Sequence, residues 1–167
     1  MSNEDRLWDA LLREVERRGY TVVVRESASS ADAFIDALRR EIVIADRLDR
    51  RDAVARLAHE IGHLQLHSGG RSAQTPSVGL REIEAELFAY GVLVNNGIEP
   101  DRSSVDYISD WVRRIGPLTQ ADFDAIEART ATATRLFVQS IHTFARRTAQ
   151  PDHGDDGVPL APDGPEL

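Results

Sequence analysis

The chain has 167 residues, 41% of them hydrophobic, enough for one domain with a buried core and too few for two well-packed ones. Its formal net charge of -8 disfavours broad binding to a phosphate backbone, because that affinity rests on cationic neutralisation. The absence of cysteine excludes a disulfide framework and fits a reducing compartment, and no apolar run approaches the ~20 residues of a membrane span.

The N-terminal stretch is charged and helical in pattern rather than signal-like, so the expected location is the cytoplasm. Leu7, Trp8, Leu11, Leu12 and Val15 recur at helical spacing and predict a first helix over Asn3 to Arg18, ended by Gly19. Tyr20 to Val24 reads as a strand. Ala31 to Arg40 is ambiguous, since Phe34, Ile35 and Leu38 have helical spacing. A further helix is expected around Val54, Leu57, Ala58, Ile61 and Leu64, with Asp49 as N-cap, Asp52 as first-turn acid and Gly69-Gly70 as the stop.

That helix carries His59-Glu60-Ile61-Gly62-His63, the HExxH signature of zinc hydrolases. Residues i and i+4 lie about 40° apart around a helix and about 6 Å along it, so both imidazoles can meet one ion. Glu60 points about 100° from His59, near enough to hold water beside a metal without ligating it. With no cysteine in the chain, a third ligand must be His, Asp or Glu. His67 continues the i+4 series but sits about 12 Å along the axis from His59, too far to share an ion, and reads as a supporting or helix-end residue.

A better source is the segment Leu80 to Asn95, an amphipathic helix stopped by Asn96-Gly97. Glu82, Glu86 and Tyr90 follow each other at i, i+4 and i+8, with Ile83, Leu87 and Val94 as the expected apolar stripe and Glu84 pointing elsewhere. A ligating histidine normally donates its other N–H to an acceptor such as a carboxylate, which assigns Glu82 as ligand and Glu86 as the orienter of a histidine. The connecting loop, Ser68 to Gly79, reads equally as a gate for substrate or a plain connector.

After Pro100, Ser104 to Arg114 predicts a helix with Val105, Ile108, Trp111 and Val112 inward and Tyr107 one turn from Trp111, a pair that reads as core ahead of a substrate wall. Thr119 with Asp122 forms a capping box opening a long helix that carries Phe123, Ile126, Leu136, Phe137, Ile141 and Phe144, with His142 at its surface. The domain is expected over residues 1–148, and residues 149–167, rich in Pro, Gly and Asp and including His153, as a disordered tail.

HEIGHLQLH followed by Glu82, Ala85, Phe88 and Ala89 resembles the ImmA/IrrE family of zinc metallopeptidases, with Glu86 where the family usually has Asn or Asp. The segments Glu82 to Tyr90 and Tyr107 to Trp111 are similar to the metallopeptidase domain of ArdC-like antirestriction proteins. The resemblance implies an α+β, zincin-like (gluzincin) single domain, with a small antiparallel sheet packed on a mainly helical body and the HExxH helix at its centre. It implies that Ala31 to Arg40 holds an edge strand hairpinned onto Glu41 to Ala45, offering unpaired backbone groups to an extended peptide. It also implies one catalytic zinc held by His59, His63 and Glu82, Glu60 as base, and a protein substrate, expected to be a helix-turn-helix repressor acting in trans.

Tyr90 is the expected donor to the oxyanion, as the only tyrosine on the face of the presumed ligand. Two other readings stay open. One is a non-catalytic zinc-binding module that sequesters a regulator, which an intact Glu60 disfavours; the other is a DNA-associated protein, which the acidic charge disfavours. Sequence leaves the oligomeric state undetermined.

Overall fold

Five helices and three strands form among the described residues of the computed structural model, which are 1–26, 31–67 and 77–149. The expected tail, residues 150–167 with His153, and most of the expected loop, residues 68–76, lie outside them. Helix α1, Asn3–Arg17, opens at Ser2, whose hydroxyl accepts from the Asp5 N–H, and ends before Gly19, whose φ of 73° suits a residue without Cβ. It buries Leu7, Trp8, Leu11 and Val15. The same face buries Glu14, whose carboxylate accepts from Arg17 Nη2 at 2.7 Å and Arg18 Nε at 2.9 Å.

Strands β1 (Thr21–Arg25), β2 (Ala33–Asp36) and β3 (Glu41–Ala45) form one sheet in the order β1-β3-β2. The strand option for the ambiguous segment is the one realised. Asp36 Oδ1 accepts from the N–H groups of Leu38 and Arg39 at 3.1 and 3.0 Å, which closes a tight turn where a helix would need to continue. Arg40 completes the turn at φ 55°. The expectation of an antiparallel sheet needs correction: β2 pairs antiparallel with β3, but β1 pairs parallel to it, so the sheet is mixed. Ile42, Val43, Ile44 and Ala45 are at most 1% exposed, and a strand that is apolar on both faces belongs at the centre, with a neighbour on each edge.

Helix α2, Arg50–His67, is capped by Asp49, whose Oδ1 accepts from the Asp52 N–H at 2.9 Å. Its Val54, Leu57, Ala58 and Ile61 are fully buried and join Leu11, Val15, Ile42, Ile44, Phe88, Val92, Phe137 and Ile141 in one core. Helix α3, Val78–Asn95, begins two residues earlier than the pattern predicts, because Ser77 caps it. It packs more extensively than an amphipathic helix would: Ile83, Ala85, Phe88, Ala89, Val92 and Leu93 are buried, whereas Val94, expected inward, is 49% exposed.

Helix α4, Arg102–Ile115, lies against α3, and α5, Gln120–Ala149, runs back across α3 and α1. The capping box is present, with the Thr119 N–H donating to Asp122 Oδ2 at 2.8 Å and the Asp122 N–H to Thr119 Oγ1 at 3.2 Å. Ile126, Phe137 and Ile141 are buried, but Phe123, Leu136 and Phe144 are 45–50% exposed. His142 meets Asn96 Oδ1 at 3.0 Å near the surface. No helix of the described residues is long and apolar enough to cross a membrane.

The approach of α2 to α3 depends on Gly62, where a Cβ would stand 3.1 Å from the Cα and carbonyl oxygen of Ala85 and from Phe88 Cδ1. Backbone on a packed helix cannot yield as a flexible side chain can. Gly62→Val is therefore expected to lower stability by about 1–3 kcal/mol in urea unfolding, through overpacking at this seam.

Candidate metal centre

Helix α2 turns His59 and His63, one turn apart, toward the face that Gly62 brings against α3. Glu82 and Glu86, one turn apart on α3, meet them there. His59 Nε2 and His63 Nε2 are 3.1 Å apart, His59 Nε2 is 3.4 Å from Glu82 Oε2, and His63 Nε2 is 3.5 Å from Glu82 Oε1. Donors arranged tetrahedrally around an ion at about 2.1 Å lie about 3.4 Å from one another, so two imidazoles and a carboxylate at these separations fit a metal without rearrangement. Among the described residues, His59, His63 and Glu82 are the group of three such side chains that could hold one.

The surrounding groups fix these three. His59 Nδ1 donates to Glu86 Oε2 at 2.9 Å, which leaves Nε2 facing His63 and Glu82. Glu86 is 5% exposed, yet it stays below its ordinary pKa: burial pushes it up, while hydrogen bonds from His59 and from Ser104 outweigh that. Ser104 comes from α4, and its inward position corrects the expected register of that helix, whose Val105 is 59% exposed. The same face of α4 supplies Tyr107, whose O–H donates to Glu82 Oε2 at 2.7 Å and whose ring stands edge-on to His59 at 5.8 Å. Burial, and then the neighbouring carboxylates, push the phenol pKa far up, so it remains a donor.

Glu60 is 8% exposed and has a raised pKa, chiefly from burial, partly offset by the charges of His59 and His63. His67 is not brought to the three donors. Its Nε2 is engaged by the Arg81 carbonyl at 3.3 Å, with Glu84 Oε2 at 3.6 Å, and its ring nitrogens do not join the cluster of His59, His63 and Glu82. Burial lowers its pKa to about 4, keeping the ring neutral. Tyr90 stays outside the cluster: it is 42% exposed and, at eight residues from Glu82, lies about 80° further round the helix. The phenol at the site is Tyr107, which the pattern of α4 had placed in the core; Ser104, Tyr107 and Trp111 at i, i+3 and i+7 were the signal for it.

The M78 peptidase family model, described as the IrrE N-terminal-like domain, matches residues 15–106, which cover β1 to β3, α2 and α3 in full. An uncharacterized protein of Bacillus anthracis is 25% identical over 112 residues, 65% of this chain and 19% of that protein. The chain thus spans about a fifth of that relative's length. No solved structure matches the chain.

The metal-free site has a definite pH signature. Burial opposes the imidazolium of His59, but hydrogen bonds to Glu82 and Glu86 prevail and raise its pKa from 6.5 to about 9. Burial also opposes the Glu82 carboxylate, but hydrogen bonds from His59, His63 and Tyr107 hold it far below 4.5. The His59 contribution to stability is complete below pH 6.5 and lost as pH rises through about 9; that of Glu82 is present above pH 4.5 and lost as pH falls. The Tm of chelator-treated protein is expected to peak between pH 4.5 and 6.5 and to decline toward pH 9, with the alkaline decline reduced in His59→Gln; a flat alkaline limb in the wild type would contradict this.

Proposed function

We propose, starting from the fact that the chain belongs to the M78 peptidase family of IrrE N-terminal-like domains, that it is a zinc-dependent metallo-endopeptidase acting on a protein substrate. The observation that carries this reading is the set of three donors, His59, His63 and Glu82, at separations that suit a tetrahedral ion, with a buried carboxylate beside them. Two imidazoles and one carboxylate favour zinc over the hard cations, which prefer all-oxygen surroundings.

Zinc, when bound, supplies Lewis-acid chemistry, acidifying water and polarising a carbonyl. The chain's residues do the rest. Glu60, its pKa raised by burial, takes the proton of the attacking water and delivers it to the leaving amine nitrogen. Glu86 holds His59 at Nδ1 so that Nε2 is presented to the ion, and Tyr107 steadies the Glu82 carboxylate from the other side. With a net charge of -8, the favoured partner is a protein, and a helix-turn-helix repressor acting in trans within the cytoplasm is the substrate we would test first.

Elemental analysis of purified wild type is expected to give one zinc per chain, lost in Glu82→Ala. Glu60→Gln is expected to keep the zinc while slowing cleavage of a neighbouring-gene repressor about a hundredfold or more. A wild type that carries no metal would sink the peptidase reading. One that binds zinc but cleaves no protein would favour a non-catalytic module that sequesters its regulator.

A further inference from the structure

One buried carboxylate beside the metal centre takes no part in the chemistry above. Glu84 is 1% exposed. Its Oε1 accepts from Arg129 Nε at 2.7 Å and also from Arg129 Nη2, and its Oε2 lies 3.6 Å from His67 Nε2, which in turn faces the Arg81 carbonyl. Three helices therefore meet at this one side chain: α3 supplies Glu84, α2 ends at His67, and α5 supplies Arg129.

An ion pair with one partner buried and the other half-exposed is a poor source of stability, because desolvation of the buried carboxylate offsets much of what the attraction yields. What it gives is direction. Glu84 is two residues from both Glu82 and Glu86, and residues two apart on a helix point about 200° from each other. Glu82 and Glu86 meet His59 on one side of α3, whereas Glu84 is gripped on the other. Contacts on opposite sides fix a helix against rotation about its own axis, and such a rotation is the movement that would carry the Glu82 carboxylate away from the two imidazoles. Arg129 lies beyond residues 15–106, so the grip comes from a part of the chain that the family match does not reach.

We propose that Glu84, held by Arg129, is a positioning residue that sets the rotation of α3 so that Glu82 and Glu86 meet the histidines of α2. The inference rests on the reading of His59, His63 and Glu82 as a metal centre. The test is titration of the full, chelator-stripped chain with zinc, and with cobalt as a spectroscopic probe, well below the unfolding temperature of each variant. Glu84→Gln, which keeps the volume but removes the charge, is expected to weaken zinc binding about tenfold or more and to alter the visible bands of the cobalt complex.

Arg129 is 47% exposed, so its replacement is compatible with folding even if Glu84→Gln is not. Arg129→Gln is expected to show the same loss, and Arg129→Lys, which retains a cation, to recover much of it. A folded Glu84→Gln with wild-type zinc affinity and an unchanged cobalt spectrum would overturn the proposal, because a purely structural role would lower the Tm and leave both untouched. If Glu84→Gln does not fold, equal and wild-type affinities in the two Arg129 variants would overturn it instead. A wild type that binds neither metal would overturn the metal-centre reading itself.

Discussion

Carboxylates accumulate around α3 and its seam with α2, and what surrounds them follows from the need to balance that charge. Glu60, Glu84 and Glu86 are each less than 9% exposed, and Glu82 stands at their edge with its side chain 21% exposed. Burying a charge without a partner costs several kcal/mol, so each of these groups calls for a cation or a set of donors. Glu84 is answered by Arg129, Glu86 by His59 and Ser104, and Glu82 by Tyr107 together with both histidines. In the metal-free protein the proton on His59 serves as the site's own cation. A divalent ion would take over that duty, which is why such a seam can be acidic and still close.

The parts of this arrangement legible in the sequence are those governed by spacing along one helix. The four-residue separations of His59 from His63 and of Glu82 from Glu86 place each pair on one face whatever the helix packs against, and the structure puts the two pairs together. Pairings between distant segments left no such mark. Arg129 is 45 residues from Glu84, and nothing local marks it off from the other arginines of the chain. Glu84 itself breaks the rule that a charged residue off the active face belongs to solvent. Tyr107 was obscured by its neighbour: a tyrosine one turn from a tryptophan reads as core, yet its ring stands edge-on to His59 while Trp111 packs behind it.

Periodicity misled where an element is buried on more than one side. Helix α3 is covered by α2, α4 and α5, so its apolar residues form no single stripe, and the stripe drawn through Val94 ran into solvent while Phe88 took the centre. The long α5 shows the opposite error, because its apolar positions exceed the core available to them and Phe123, Leu136 and Phe144 remain outside. In the sheet, the hairpin of β2 and β3 was readable from a short turn, but the parallel seat of β1 depends on which edge of β3 was still open, a property of the assembled sheet.

The donors of the seam are also close neighbours along the chain, with His59 and Glu86 27 residues apart. An ion bridging that separation acts as a crosslink, and the entropy of closing a loop rises only with the logarithm of its length. Most of the order the centre requires is therefore already supplied by one helical hairpin. The sheet and α5 adjust its grip without assembling it. A pair of helices that carries its own donors asks little of the rest of the chain, so His59, His63, Glu82 and Glu86 can stay face to face while the segments outside that pair vary.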